Sequence, residues 1–317
     1  MNFRTVQNLN DLINKNLYKI PNDIDLVVGI PRSGLFVANL IALYMNLPLT
    51  DFNSFLKKKI YDCGTTKVRD DWIKKIDNNT KVLIVEDSSI SGNSLDKVRK
   101  EINKRRIKNN ITFLTVYVTD YTKQLTDIYF EVCNPPRMFE WNYLHHQMLK
   151  KACLCIDGLL CELPNSKIAL SESEYKKYIR NVPLRVHPSF KIGYLVTSRL
   201  EAYRNDTEYW LKKNGIKYNE LIMIGDNVKF LSFSNKLCGL FKGYKYKFFD
   251  QTNIFVENNF IQAKEIAKIS HKTVFCVESQ SVIYYPISES GISNFLLNKS
   301  YLIKLFSSII MKFIRKI

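Results

Sequence analysis

The chain has 317 residues, long for one domain and comfortable for two. Its formal net charge of +17 calls for an anionic partner, but the basic residues are not interleaved with aromatics around a recognisable reading module, which excludes nucleic acid. Seven cysteines, an odd number with no leader segment, point to a reducing, cytoplasmic setting with buried thiols, and no repeat or low-complexity tract is present.

In chain order, residues 27–34 (VVGIPRSG) read as an apolar strand entering a tight turn, with a helix expected over 37–45. Residues 55–69 (FLKKKIYDCGTTKVR) carry Lys57, Lys58, Lys59 and Lys67, either a solvated charged face or a mobile basic loop. Val82 to Val85 are consecutive apolar residues, as in a parallel-sheet strand covered on both faces. Glu86 and Asp87 fall at its carboxyl end, the edge at which open α/β sheets bind ligands. Ser88, Ser89, Ser91, Gly92, Asn93 and Ser94 follow, just before a helix expected over 94–106. Backbone N–H groups, hydroxyls and a helix start in one small-residue loop suit a phosphate monoester. The acidic pair cannot hold that phosphate and suits a neutral vicinal diol, so the two together read as a site for ribose 5-phosphate.

An apolar strand, two acids and a loop ending in Ser91-Gly92-Asn93-Ser94 resemble the signature of the type I phosphoribosyltransferases, and residues 27–34 are similar to that family's pyrophosphate loop. The resemblance implies 5-phosphoribosyl 1-diphosphate (PRPP) as donor. It also implies Mg²⁺ held by PRPP near Glu86 and Asp87 rather than by direct side-chain ligation. Binding would fall to Arg32, Ser33, Gly34, Glu86, Asp87, Ser88, Ser89, Ser91, Gly92, Asn93 and Ser94, with Arg32, Glu86 and Asp87 carrying catalysis and residues 55–69 closing over the site. One position departs from the pattern. Purine-salvage members carry a carboxylate three residues after the second acid, where this chain has Ile90, which cannot do acid/base work. That disfavours a 6-oxopurine, though not every base; together with the basic tail and the phosphatase-like second domain described below, it favours a carbohydrate hydroxyl as acceptor, as in synthesis of a ribofuranose-containing surface polysaccharide, with Glu86 or Asp87 nearest to take the proton. Two alternatives stay open. One is a nucleobase acceptor of salvage or pyrimidine type, stacked on Phe139, Trp141 or Tyr143; the other is a regulator that senses the phosphosugar without turnover.

Further along, residues 133–146 (CNPPRMFEWNYLHH) read as a packed junction, and a new apolar strand is expected over 152–156. Asp157-Gly158, VTSR at 196–199, Lys242 and IFVEN at 254–258 follow, with helices expected over 203–214 and 261–270 and loops or a small cap over 163–188. This order resembles the haloacid-dehalogenase superfamily, and residues 193–223 resemble a subgroup in which such a domain follows a phosphoribosyltransferase domain. The resemblance implies Asp157 as the second acid, Thr197 as the hydroxyl, Lys242 as the lysine and Glu257 as the last acid. The nucleophile position falls on Cys155, where a thiolate cannot also supply the oxygen ligand Mg²⁺ prefers, so the domain is expected to be a degenerate phosphatase. The resulting expectation is α/β throughout: two doubly wound parallel-sheet domains, 1–150 and 151–290, and a basic tail, 291–317. In that tail Leu302, Leu305, Phe306, Ile309, Ile310, Phe313 and Ile317 share one helical face opposite Lys304, Lys312 and Arg315. Such a helix either lies on an anionic membrane surface, which would make the protein peripheral at the inner face, or docks on the protein itself. A second copy of the chain is a further candidate partner.

Overall fold

The computed structural model describes residues 1–62, 66, 68–165, 171–225 and 234–285; Lys67 and the whole tail, including Leu302 to Ile317, lie outside them. The described residues form two compact units, Met1–Trp141 and a second that begins at Asn142. No helix among them is long and apolar enough to cross a membrane.

The first unit runs β1 (Asn2–Arg4), α1 (Val6–Asn16), β2 (Leu26–Gly29), α2 (Ser33–Met45), β3 (Leu49–Asp51), α3 (Phe52–Phe55), β4 (Val82–Ser88), α4 (Asn93–Lys104), β5 (Ile111–Val118), β6 (Ile128–Val132) and β7 (Arg137–Phe139). Five strands make one sheet in the order β3-β2-β4-β5-β6, every pairing parallel, while β1 and β7 form a separate parallel pair. The apolar runs of β2 and β4 are buried on both faces, as a sheet covered by helices on each side requires. Leu9 and Ile13 of α1 and Val37 and Ile41 of α2 pack with Leu83, Val85 and Val116 on one face; Phe52, Phe55, Leu95, Val98 and Ile102 pack with Ile84 on the other. The spacing of Leu95, Val98 and Ile102 puts one stripe of α4 against the sheet. Because α2 and α4 leave neighbouring strands for opposite faces, a crevice opens at the carboxyl ends of β2 and β4, the topological switch point of this sheet.

The second unit runs β8 (Ala152–Leu154), α5 (Glu172–Asn181), β9 (Ile192–Leu200), α6 (Arg204–Lys213), β10 (Tyr218–Ile224), α7 (Asn235–Lys247), β11 (Ile254–Glu257), α8 (Phe260–Ser270), β12 (Val274–Cys276) and β13 (Ser281–Ile283). Its sheet has the order β10-β9-β8-β11-β12-β13, parallel except for the last strand. Here the switch point lies at β8 and β11. The polar stretch expected as loops or a cap contains α5, opened by the Ser171 hydroxyl accepting from the Glu174 N–H. Gly239 and Gly243 let α7 lie close on α8, since a Cβ at either would meet Gln262 O at 2.9 Å or Ile266 Cα at 3.0 Å. That approach brings Lys242, one turn along, to the end of β11. The cysteines among the described residues are buried and free.

Candidate active site

β4 carries Glu86 and Asp87 near its carboxyl end, 6% and 5% exposed, with β2 on one side and β5 on the other. The Ser94 hydroxyl donates to Glu86 Oε2 at 2.5 Å, and Trp141 Nε1 donates to Asp87 Oδ2 at 2.9 Å. No ion pair to either carboxylate forms among the described residues. Burial, reinforced by the neighbouring Asp87 charge, pushes the Glu86 carboxyl up to about 8, and burial raises Asp87 as well. Two adjacent acids that cannot both ionise cheaply titrate as a pair.

Two helix starts flank this pair. α2 begins beside Arg32 and α4 beside Gly92, and neither N-cap residue satisfies the first-turn N–H groups with a side chain. These open N-termini, on either side of the switch-point crevice, are matched to anions. Gly34 is required for the approach of α2 to β4, because a Cβ there would meet Val85 O at 2.7 Å and Glu86 Cα at 3.1 Å. The Pro31–Arg32 peptide is cis and the Arg32 side chain is exposed.

The structure thus brings Arg32, Ser33, Gly34, Glu86, Asp87 and residues 88–94 to one sheet edge, but gives two of the expected hydroxyl donors other work. Ser94 is committed to Glu86. The Ser89 hydroxyl accepts from Gly92 N at 3.2 Å, and the Ser89 carbonyl accepts from Thr122 Oγ1 at 3.0 Å, so Ser89 braces the loop. Ser91 and Asn93 are exposed and Ser88 is half-buried, so these side chains remain for a ligand. Ile90 is 52% exposed on the same loop. Lys57, Lys58 and Lys59 are exposed after α3, and nothing in their surroundings distinguishes one of them. Among the described residues no group of three or more His, Cys, Asp or Glu side chains is placed to hold a metal ion.

Residues 2–148 match the family described as the phosphoribosyl transferase domain. The first unit is a phosphoribosyltransferase domain. Among solved structures, the purine phosphoribosyltransferase from Pyrococcus horikoshii is similar at 22% identity over 44% of this chain and 92% of its own, with a TM-score of 0.33. The xanthine-guanine-hypoxanthine phosphoribosyltransferase of Helicobacter pylori is similar at 16% identity over 44% of this chain and 92% of its own, with a TM-score of 0.32. A comparison with curated proteins gives no match.

The second unit has a cavity of about 190 Å³ at its own switch point, lined by Asp157, Thr197, Arg199, Lys242, Glu257 and neighbours. Four of the five residues singled out in the sequence therefore meet there. The fifth, Cys155, is buried behind that lining, its Sγ 3.8 Å from the Asp157 carbonyl, and burial beside Glu257 raises its thiol well above the ordinary range. Arg199, the last residue of the VTSR run, also lines the cavity, although the sequence pattern gives it no role. Its Nε contacts Asp157 Oδ1 and Oδ2 at 3.2 and 3.0 Å and its Nη2 contacts Oδ1 at 2.6 Å. The guanidinium outweighs burial and holds the Asp157 carboxyl below its usual value. Lys242 Nζ lies 2.7 Å from Glu257 Oε2 and 2.8 Å from Gln262 Oε1. Among the described residues, each charge that lines this cavity has its counter-charge within hydrogen-bond reach.

In the phosphoribosyltransferase domain the residue that sequence reasoning left incomplete is Trp141. It was named only as a ring for stacking, whereas its indole N–H bonds the second acid across 54 positions of sequence.

Proposed function

We propose that this protein transfers 5-phosphoribosyl from PRPP to a carbohydrate hydroxyl with release of diphosphate. The observation that supports the reading most directly is a buried acid pair that forms no ion pair among the described residues, set between two helix starts whose N-cap residues make no side-chain cap. In this reading Glu86 and Asp87 accept from the ribose 2- and 3-hydroxyls, the 88–94 loop and the α4 start cradle the 5-phosphate, and Arg32 with Ser33 and Gly34 meets the diphosphate. The bond from ribose C1 to diphosphate breaks, the bond from C1 to the acceptor oxygen forms, and the acceptor proton passes to the acid pair. Catalysis is then positioning plus stabilisation of the leaving anion. Mg²⁺ would be held by the diphosphate of PRPP close to Glu86 and Asp87, whose negative charge suits a nearby cation without direct ligation, and would supply neutralisation of leaving-group charge.

Ile90 supports a hydroxyl acceptor over a 6-oxopurine, since no carboxylate stands on the loop to move a purine proton. A nucleobase is the second reading, favoured by one observation: Trp141, half-buried beside Asp87, lies 6.3 Å from the exposed ring of Phe36. Within the second unit, residues 151–290 are read as a haloacid-dehalogenase-like domain without phosphatase activity, because Cys155 stands at the nucleophile position and Asp157 is bound on both oxygens by Arg199. The tail, 302–317, is read as a contact for anionic membrane, where a lipid-linked glycan would be met.

Labelled PRPP with Mg²⁺, offered to purified protein with glycolipid acceptors or with nucleobases, tests the reading. Diphosphate release with glycolipid alone is the expected result. Release with a base alone would establish the second reading, and PRPP binding without turnover on either acceptor would make the protein a phosphosugar sensor.

A further inference from the structure

Arg137, the first residue of β7, is 3% exposed, yet its charge is not neutralised locally. Its Nη1 donates to two neutral carbonyls, Cys133 O at 2.8 Å and Val118 O at 3.4 Å. Its Nε and Nη2 have no hydrogen-bond partner among the described residues, and it makes no ion pair there. A buried guanidinium in that condition is costly, because its desolvation is not repaid by a partner anion. A protein retains such a group where its field or its spare donors are used.

The surroundings say where the field falls. The guanidinium carbon lies 5.4 Å from the centroid of the Phe139 ring, the Phe139 ring stacks on Trp141 at 4.7 Å and 12°, and Trp141 Nε1 donates to Asp87. Arg137, Phe139 and Trp141 thus form a ladder from one short strand to the second acid. Among the described residues, the charged and titratable groups that act on Asp87 include Glu86 on its own strand, Tyr117 from β5 and, as a cation, Arg137 from β7. Burial lowers the proton affinity of Arg137, while the Asp87 charge acts to raise it.

We propose that Arg137 is a positioning residue of the transferase site, which fixes the Phe139–Trp141 ladder and, through it and through its unneutralised charge, holds Asp87 as an oriented carboxylate ready for the ribose diol. This rests on the diol role given to Asp87 above. A merely structural Arg137 would act through its two carbonyl bonds alone. The two roles differ in outcome: replacing a structural arginine weakens the fold, whereas replacing a buried charge kept for function leaves stability unchanged or raised while function falls.

The test is PRPP binding by calorimetry in the presence of Mg²⁺, with melting temperatures, for Arg137→Met, Arg137→Lys, Asp87→Asn and the double variant Arg137→Met/Asp87→Asn. The expected result is an affinity loss of about tenfold in Arg137→Met at unchanged or higher melting temperature, with most of the affinity kept in Arg137→Lys. In the Asp87→Asn background, Arg137→Met should add nothing, since a residue that acts through Asp87 has nothing left to act on. Should Arg137→Met fail to fold, Arg137→Gln, which retains carbonyl bonding without the charge, takes its place in the same cycle. Equal losses with and without Asp87, or a lowered melting temperature with affinity unchanged, would overturn the proposal. Unaltered affinity in Asp87→Asn itself would remove the diol role and the proposal with it, whereas a loss in Asp87→Asn without one in Arg137→Met would remove only the proposal.

Discussion

Both units place two carboxylates at the switch point of a parallel sheet, and they treat them in opposite ways. In the second unit Asp157 is forked by Arg199 and Glu257 is paired with Lys242, so the cavity carries charges that cancel within it. In the phosphoribosyltransferase domain Glu86 and Asp87 stand side by side with a serine hydroxyl and an indole N–H as side-chain partners, and form no ion pair among the described residues. A buried charge that already has its partner has little to gain from a ligand; a buried acid pair whose proton affinity is raised gains a great deal from donors or cations that arrive with one. The contrast teaches that the acidic residues of a site do not by themselves mark activity. What marks it is whether the fold has left their charge uncompensated.

The comparison can be broken most sharply at Asp87. Asp87→Asn is expected to lower kcat/KM for PRPP turnover by about a hundredfold or more, measured as diphosphate release, with the melting temperature within a few degrees of the native chain. A large loss of stability instead would mean that the pair is structural. The mirror-image change, Arg199→Met, strands a buried Asp157 and should cost about 3–5 kcal/mol in denaturant unfolding of the second unit while PRPP turnover persists. Cys155→Asp adds a carboxylate beside Asp157 and Glu257 without freeing Asp157 from Arg199. It should destabilise by about 3 kcal/mol and yield no activity on sugar phosphates; phosphatase activity in the native chain would overturn the account of this cavity.

The unliganded protein offers a further probe in its pH dependence. Below pH 4.5 both folded and unfolded chains keep the Glu86 proton; between there and about pH 8 the unfolded chain has lost it and the folded chain has not. Stability contributed by this group is therefore lost as pH rises across that window, with a slope of up to ~1.4 kcal/mol per pH unit. Glu86→Gln should flatten that slope, as followed by thermal unfolding from pH 5 to pH 8. A slope unchanged by the substitution would assign the proton elsewhere.

Much of the first site was legible because it is local. The run from Val82 to Ser94 contains strand, acids, loop and helix start within thirteen residues, and each obeys short-range rules of apolar run, small-residue turn and open N-terminus. α2 was read from residue 37 but begins at Ser33, because the contact that lets its first turn press on β4 is made by Gly34 against a strand more than fifty positions away. Ser89 and Ser94 were read as phosphate donors because serines in such a loop look alike in sequence; only the folded loop shows one bracing Gly92 and the other bonded to Glu86. α5 was missed within a polar stretch whose pattern differs little from a loop, although Ser171 is a capping residue that signals its start.

By itself the sequence determined the strands that carry the two acidic pairs and the α/β alternation around them, since these follow from hydrophobic period, chain order and residue type. Which acids are neutralised was decided by tertiary structure alone. Arg199 reaches Asp157 across 42 residues, Lys242 reaches Glu257 because two glycines let α7 settle on α8, and Trp141 reaches Asp87 from the far end of the domain. Charge compensation in a low-dielectric interior depends on distances of a few ångströms between side chains remote in the chain, and no local pattern encodes those distances.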